Sequence, residues 1–334
     1  MRSIVAALGL MLIALFMPRV TLEQKTFDYV VVFDITQSMN VEDYDLRGSP
    51  ISRLAFAREA VGAALRRLPC GSRVGWGAFA EYRTILLLVP VEVCANYNDL
   101  LASLERIDGR MRWANASEIA KGVYWAMRAA RDVGAAVDGP TAGAGARAKP
   151  PVPDVLFLTD GQEAPPVVGP DLPLFDDLIR GQVRGWLVGV GGYTPRRIPR
   201  TDEDDKPIGF WHADEVMQID DVTGTDGAQS KRPPTASREQ LSEVREPHLR
   251  TLANAVGFEY THLDDIESIG STMLDPRFAR RTAAPADIGW IPALAALLLL
   301  AVRFRPRGGF KRGGPLRAVV GTHIPAVTSP RRLS

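Results

Sequence analysis

The 334-residue sequence is poor in the residues from which most metalloenzymes and redox proteins build their centres. Its only two cysteines, Cys70 and Cys94, do not form a CxxC pair, so a zinc or thiol-redox site finds no support. The four histidines, His212, His248, His262 and His323, have no ligand-like spacing and carry no assignment. GxGxxG and the Walker lysine are both missing, and the glycine cluster at 189–192 reads as a strand exit. The acidic run TDEDD at 201–205 lacks the DxDxDG spacing of an EF-hand and reads as a solvated charge cluster. No internal repeat is present, and no uncharged apolar run reaches the ~20 residues of an ordinary spanning helix.

Neither sign of charge dominates, with 40 basic against 39 acidic side chains, but their distribution is uneven. From Arg303 onward the chain holds basic residues (Arg303, Arg305, Arg307, Lys311, Arg312, Arg317, Arg331 and Arg332) and no acid, which leaves the body net negative. An acidic body argues against nucleic acid as its partner. The tail instead suggests a lipid bilayer, because two apolar runs flank the body: IVAALGLMLIALFM at 4–17 and IGWIPALAALLLLAV at 288–302. Residues 1–19 read as a signal peptide or signal-anchor, residues 287–303 as a transmembrane segment, and residues 304–334 as a basic cytoplasmic tail. That orientation, at a bacterial inner membrane, puts the body in the periplasm.

The body alternates strands and helices. Residues 27–33 (FDYVVVF), 154–159 (DVLFLT) and 183–190 (VRGWLVGV) read as buried strands, and 73–80 with 83–89 as a hairpin. Ser52 opens a helix; further helices are expected over 99–107, 118–131 and 248–256, the last stopped by Gly257 before a short strand at 258–262. The expected fold is α/β, a doubly wound and mostly parallel sheet with helices on both faces and one antiparallel edge strand. Residues 193–247, polar and rich in Pro, Asp and Arg, break the alternation and read as a long inserted loop.

The first strand runs into Asp34-Ile35-Thr36-Gln37-Ser38, and in extended chain Asp34, Thr36 and Ser38 face one way. A later strand ends in Thr159-Asp160-Gly161, and Ser117 stands just before the helix near Glu118. A doubly wound sheet gathers these three loops at one edge, where ligands bind. Asp34, Thr36, Ser38, Ser117 and Asp160 then offer hard oxygen donors without imidazole or thiolate. Such a set suits Mg²⁺, with Ca²⁺ or Mn²⁺ as alternatives. Glu163 reads as a solvated loop residue near this site. Trp113 reads equally as packed or as lining a partner surface.

DxTxS, a hydroxyl about eighty residues on and TDG resemble the metal-ion-dependent adhesion site of von Willebrand factor type A domains. Ser117, in ASEIAKGVYWAM, stands where the family usually has threonine. The resemblance spans residues 26–270, insertion included. SMNVEDYDLRGSPISRLAFAREAV, VGWGAFAEYRTILLLVPV and HLRTLANAVGFEYTHL are similar to bacterial membrane-anchored Bat-type members. FLTDGQEAPP and PIGFWHADEV look like the group encoded with methanol dehydrogenase in methylotrophs. The resemblance implies a non-catalytic domain whose divalent cation is completed by a carboxylate from a protein partner. It implies an accessory role in maturing, or loading calcium into, periplasmic methanol dehydrogenase. A Bat-type envelope-stress or aerotolerance factor is the alternative. Such domains often work with AAA-type ATPases, which here would have to couple across the membrane. FDIT also resembles the nucleophile strand of aspartate-based phosphohydrolases, but Thr36 replaces their acid/base aspartate.

Cys70 and Cys94 flank the expected hairpin at its open end. If the strands pair, their Cα atoms approach the ~5.5 Å typical of a disulfide; two unpaired thiols are the alternative.

Overall fold

The computed structural model describes residues 2–17, 20–136, 152–167, 180–218, 238–286 and 288–304. The basic tail beyond 304 and most of the Ala/Gly/Pro-rich stretch after 136 lie outside them. The chain divides into two compact units: residues 19–286, and the two terminal segments together.

In the larger unit, strands β1 (Val20–Thr26) and β2 (Asp28–Asp34) follow one another across Phe27. All seven residues of β2 are buried. Tyr29, Val31 and Phe33 enter one core and Val30 and Val32 the other, as a strand covered on both faces requires. A short ladder of β3 (Tyr44–Leu46) with β4 (Ser49–Ile51) then leads to α2 (Arg53–Leu65). Ser52 caps that helix, its side chain accepting from the Ala55 N–H. Strands β5 (Arg73–Ala80) and β6 (Arg83–Glu92) form the expected hairpin. They are followed by α3 (Tyr97–Leu104), α4 (Ile119–Ala136), β7 (Asp154–Thr159) and β8 (Gly185–Gly189).

Residues 219–237 of the insertion lie outside the described residues, and the rest of it is not one long loop. It pairs β9 (Arg196–Arg197) with β12 (Leu241–Ser242), and β10 (Pro199–Thr201) with β11 (Pro207–Phe210). These strands are two to four residues long, too short to show a periodic pattern. Next come α5 (Glu246–Val256), ended by Gly257 at φ 81°, then β13 (Glu259–His262), α6 (Ser268–Met273) and β14 (Arg280–Ala286). Strand β14 pairs antiparallel with β1, from Val20↔Ala286 to Thr26↔Arg280, a ladder the sequence reading did not anticipate.

The central sheet has the order β13-β8-β7-β2-β5-β6, parallel throughout except for the antiparallel edge strand β6. Side chains of α2, α3 and α6 pack on one face and those of α4 and α5 on the other. This is the doubly wound, mostly parallel α/β sheet expected.

Cys70 and Cys94 form a disulfide at the open end of the β5–β6 hairpin, with Cα atoms 5.3 Å apart. In the smaller unit, α1 (Arg2–Phe16) packs against α7 (Trp290–Phe304), with Ala7 and Ala296 buried. Most of their large apolar side chains, Leu8, Leu12, Leu297 and Leu298 among them, are exposed. Each helix has 15 residues, about 22 Å at 1.5 Å per residue. Among the described residues no helix is long and apolar enough to cross a membrane. Within the segment expected to span at 287–303, the described residues form the helix Trp290–Phe304.

Candidate functional site

The chain leaving β2 passes through α2 to β5 on one side of the sheet, whereas β7 is followed by β8 on the other. Their carboxyl ends therefore open a crevice at the point where the winding reverses. Asp34 ends β2, and Asp160 follows the last residue of β7. Ser117 reaches the same edge through a parallel bridge to Glu81 and an antiparallel bridge to Ala164. All five residues singled out by the sequence are buried here.

Asp34 accepts on both oxygens: Oδ1 from Thr36 N at 2.9 Å and Thr36 Oγ1 at 2.7 Å, Oδ2 from Thr159 Oγ1 at 2.6 Å. The Thr36 and Ser38 hydroxyl oxygens are 3.2 Å apart. They do not meet by continued extension of the strand. Thr36 is extended, and a 3₁₀ turn over Gln37–Asn40 then carries Ser38 back beside it. A hydroxyl that donates to a carboxylate keeps its lone pairs for another ligand. Gly161 makes the second loop possible: at φ +82° its N–H reaches Thr159 Oγ1 at 3.1 Å, and a Cβ there would meet the Cβ of Arg245 at 2.9 Å.

Asp160 Oδ1 accepts from Gln162 N at 3.0 Å, and Oδ2 from Ser242 Oγ and Arg53 Nη1, both at 2.8 Å. Arg53 is fully buried and also holds Asp43, its Nη2 2.6 Å from Asp43 Oδ2. Two carboxylates thus share one guanidinium. Burial, and then the neighbouring Asp160 charge, push the Asp34 carboxyl up to about 7. Ser117 Oγ is buried without a hydrogen-bond partner among the described residues. A buried hydroxyl left unpaired is uncommon and costly, so this one points to a ligand. Three hydroxyls backed by two carboxylates are hard oxygen donors, and they fit a hard dication.

Several neighbouring residues behave differently from the sequence reading. Glu163 is not solvated: its Oε2 accepts from Ile119 N at 3.0 Å, anchoring the start of α4, and Oε1 lies 2.9 Å from His248 Nε2. The 201–205 run is docked as well as solvated. Thr201 Oγ1 accepts from Arg112 at 2.9 Å and Asp205 Oδ1 from Asn40 Nδ2 at 2.9 Å. Trp113 is half-exposed.

Sequence reasoning missed Arg53, Asp43 and Ser242, and also a chain of amide contacts. Trp211 Nε1 donates to Gln37 Oε1 at 2.6 Å, and Gln37 Nε2 to Asn115 Oδ1 at 2.9 Å, so the insertion is tied to both hydroxyl-bearing loops. A signal for Arg53 was present. It stands four residues before Ala57 and seven before Ala60, in phase with the buried stripe of α2.

No family model matches the chain, and no curated protein matches it. Among solved structures it is similar to an aerotolerance-related membrane protein from Bacteroides fragilis, with 17% identity and a TM-score of 0.44 over 74% of this chain and 96% of that one. It is similar to the conserved hypothetical protein BatB from Bacteroides thetaiotaomicron, with 16% identity and a TM-score of 0.43 over 74% and 95% of the two chains. It is also similar to a von Willebrand factor type A protein from Catenulispora acidiphila, with 14% identity and a TM-score of 0.36 over 74% of this chain and 41% of that one.

Proposed function

We propose that the chain is a non-catalytic, metal-ion-dependent protein-binding domain of the von Willebrand factor type A kind. Thr36, Ser38 and Ser117 would hold a divalent cation, Mg²⁺ or else Ca²⁺ or Mn²⁺, while Asp34 and Asp160 offset its charge. The observation that carries this reading is the buried, unpartnered Ser117 Oγ beside the Thr36–Ser38 pair. When bound, the cation supplies a Lewis-acidic position that a carboxylate from a partner can complete. The chain's own residues orient and shield that position. Asp34 fixes the Thr36 hydroxyl, and Arg53 with Ser242 holds Asp160 in place. Binding is favoured over hydrolysis because no histidine, lysine or cysteine is among the described residues lining the cavity at the site, and its Glu163 is already engaged.

The apolar surface of the α1–α7 pair supports attachment to a membrane. Short apolar helices can be accommodated there by local thinning of the bilayer. With the basic tail on the cytoplasmic side, the body faces the periplasm. For the process served, FLTDGQEAPP and PIGFWHADEV favour maturation of periplasmic methanol dehydrogenase, and SMNVEDYDLRGSPISRLAFAREAV favours a Bat-type stress role. Deleting the gene separates them: on the first reading methanol dehydrogenase accumulates short of calcium, on the second it is fully loaded. The binding role itself is tested by capture of envelope partners on the full-length protein. Capture should require Mg²⁺, vanish in EDTA and return when the ion is restored; capture undiminished by EDTA overturns the proposal.

A further inference from the structure

Beside the three hydroxyls lies a cavity of about 360 Å³, lined by Thr36, Ser38 and Ser117 on the sheet side. Ile198, Trp211, Val216 and Met217 of the insertion and Pro165 and Pro166 supply its apolar walls. The insertion is fixed over the site by the Trp211–Gln37–Asn115 contacts, and it is braced within itself by the Trp211 backbone N–H, which donates to Ile198 O at 3.1 Å.

The charged groups lining this cavity are all committed within the protein. Glu163 holds Ile119 N and His248, and Glu215 pairs with Arg200 and accepts from His212 N. Glu239 accepts from Gln162 Nε2 at 2.8 Å and pairs with Arg245. No lysine or arginine is among the described lining residues. An incoming carboxylate therefore meets no basic side chain there and has the cation to bind, while Ile198, Trp211, Val216 and Met217 give its neighbour an apolar wall. Met217, 54% exposed, puts a flexible apolar side chain at that wall. The volume is at the low end of the ~300–1,000 Å³ seen for ligand pockets, which suits one large side chain beside the acid.

We infer that the partner is a peptide segment in which an acidic residue is flanked by a large apolar side chain. The acid goes to the cation and the apolar group into the cavity formed by the insertion. This rests on the cation-site reading above and adds the chemistry of the partner to it.

The test uses the full-length chain in detergent on an array of peptides with a central Asp. Flanking positions carry Gly, Ser, Lys, Leu, Met or Phe, and binding is read in Mg²⁺ and in EDTA. The expected result is Mg²⁺-dependent retention about tenfold stronger for Leu, Met or Phe flanks than for Gly flanks, the ratio that burial of one such side chain provides. In Met217→Ser and Trp211→Ala this ratio should shrink towards one. Mg²⁺-dependent retention that ignores the flanks, or that favours Lys flanks, overturns the inference and leaves the cation site standing. Retention that is equal in Mg²⁺ and EDTA overturns both. A ratio that persists in both variants places the preference outside this cavity and likewise overturns the inference.

Discussion

Arg53 Nη1 lies 2.8 Å from Asp160 Oδ2, with both side chains fully excluded from solvent. The guanidinium also holds Asp43, so the second loop of the site depends on a residue at the first turn of α2. Replacing Arg53 with Met removes the cation and strands two buried carboxylates. Unfolding free energy should fall by about 3–5 kcal/mol, read by urea denaturation. A loss below ~1 kcal/mol would show that the pair does not organise the site.

Ser117 should behave in the opposite way. Its hydroxyl has no partner among the described residues, so Ser117→Ala gives up no hydrogen bond there. In EDTA its denaturation midpoint should match the parent, or exceed it slightly. Affinity for Mg²⁺ should drop by on the order of tenfold or more, since even outer-shell changes at metal sites typically cost 10–100-fold. A destabilised metal-free protein with unchanged affinity would assign Ser117 a structural role only.

Asp28 gives a pH signature away from the site. Burial pushes its carboxyl up to about 6, against the opposing pull of Arg73 and Arg280. The folded protein therefore binds this proton more tightly than the unfolded chain, whose carboxyl titrates near ~3.9. Between those values the group adds stability as pH falls, and that contribution is lost as pH rises through about 6. Asp28→Asn should flatten this part of the pH–stability curve. Identical slopes for parent and variant between pH 4 and 7 would contradict the assignment.

The Cys70–Cys94 bridge closes a loop with a sequence separation of 24. In the chain-entropy model that constraint contributes about 3 kcal/mol. Reduction should lower the denaturation midpoint without abolishing Mg²⁺ binding, because the bridge sits at the opposite end of β5 from the site. Two free thiols titrated in protein freshly isolated under non-reducing conditions would contradict it.

The sheet was legible because β2, β7 and β8 are apolar runs with no polar interruption, and Ser52 and Gly257 mark helix ends through local chemistry. Asp34, Thr36, Ser38 and Asp160 were legible because they end or follow β2 and β7, and Ser117 because it stands just before α4. Arg53 escaped notice because an arginine reads as surface until a tertiary partner is known, and Asp43 and Ser242 are brought to it only by folding. The β1–β14 ladder and the small strands of the insertion depend on pairing partners far apart in sequence or too short for periodicity, which local patterns do not reveal. The convergence of Thr36 and Ser38 was anticipated, but its cause was not: a 3₁₀ turn does what an extended strand was expected to do.

Direct titration of the full-length protein with Mn²⁺, followed by electron paramagnetic resonance, tests the central claim most closely. The account predicts one Mn²⁺ bound per chain, displaced by Mg²⁺, with binding lost in Asp34→Ala and strongly weakened in Ser38→Ala while both variants keep the parent's circular dichroism. A parent that binds no Mn²⁺, or an Asp34→Ala variant that binds it as tightly as the parent, would contradict the account.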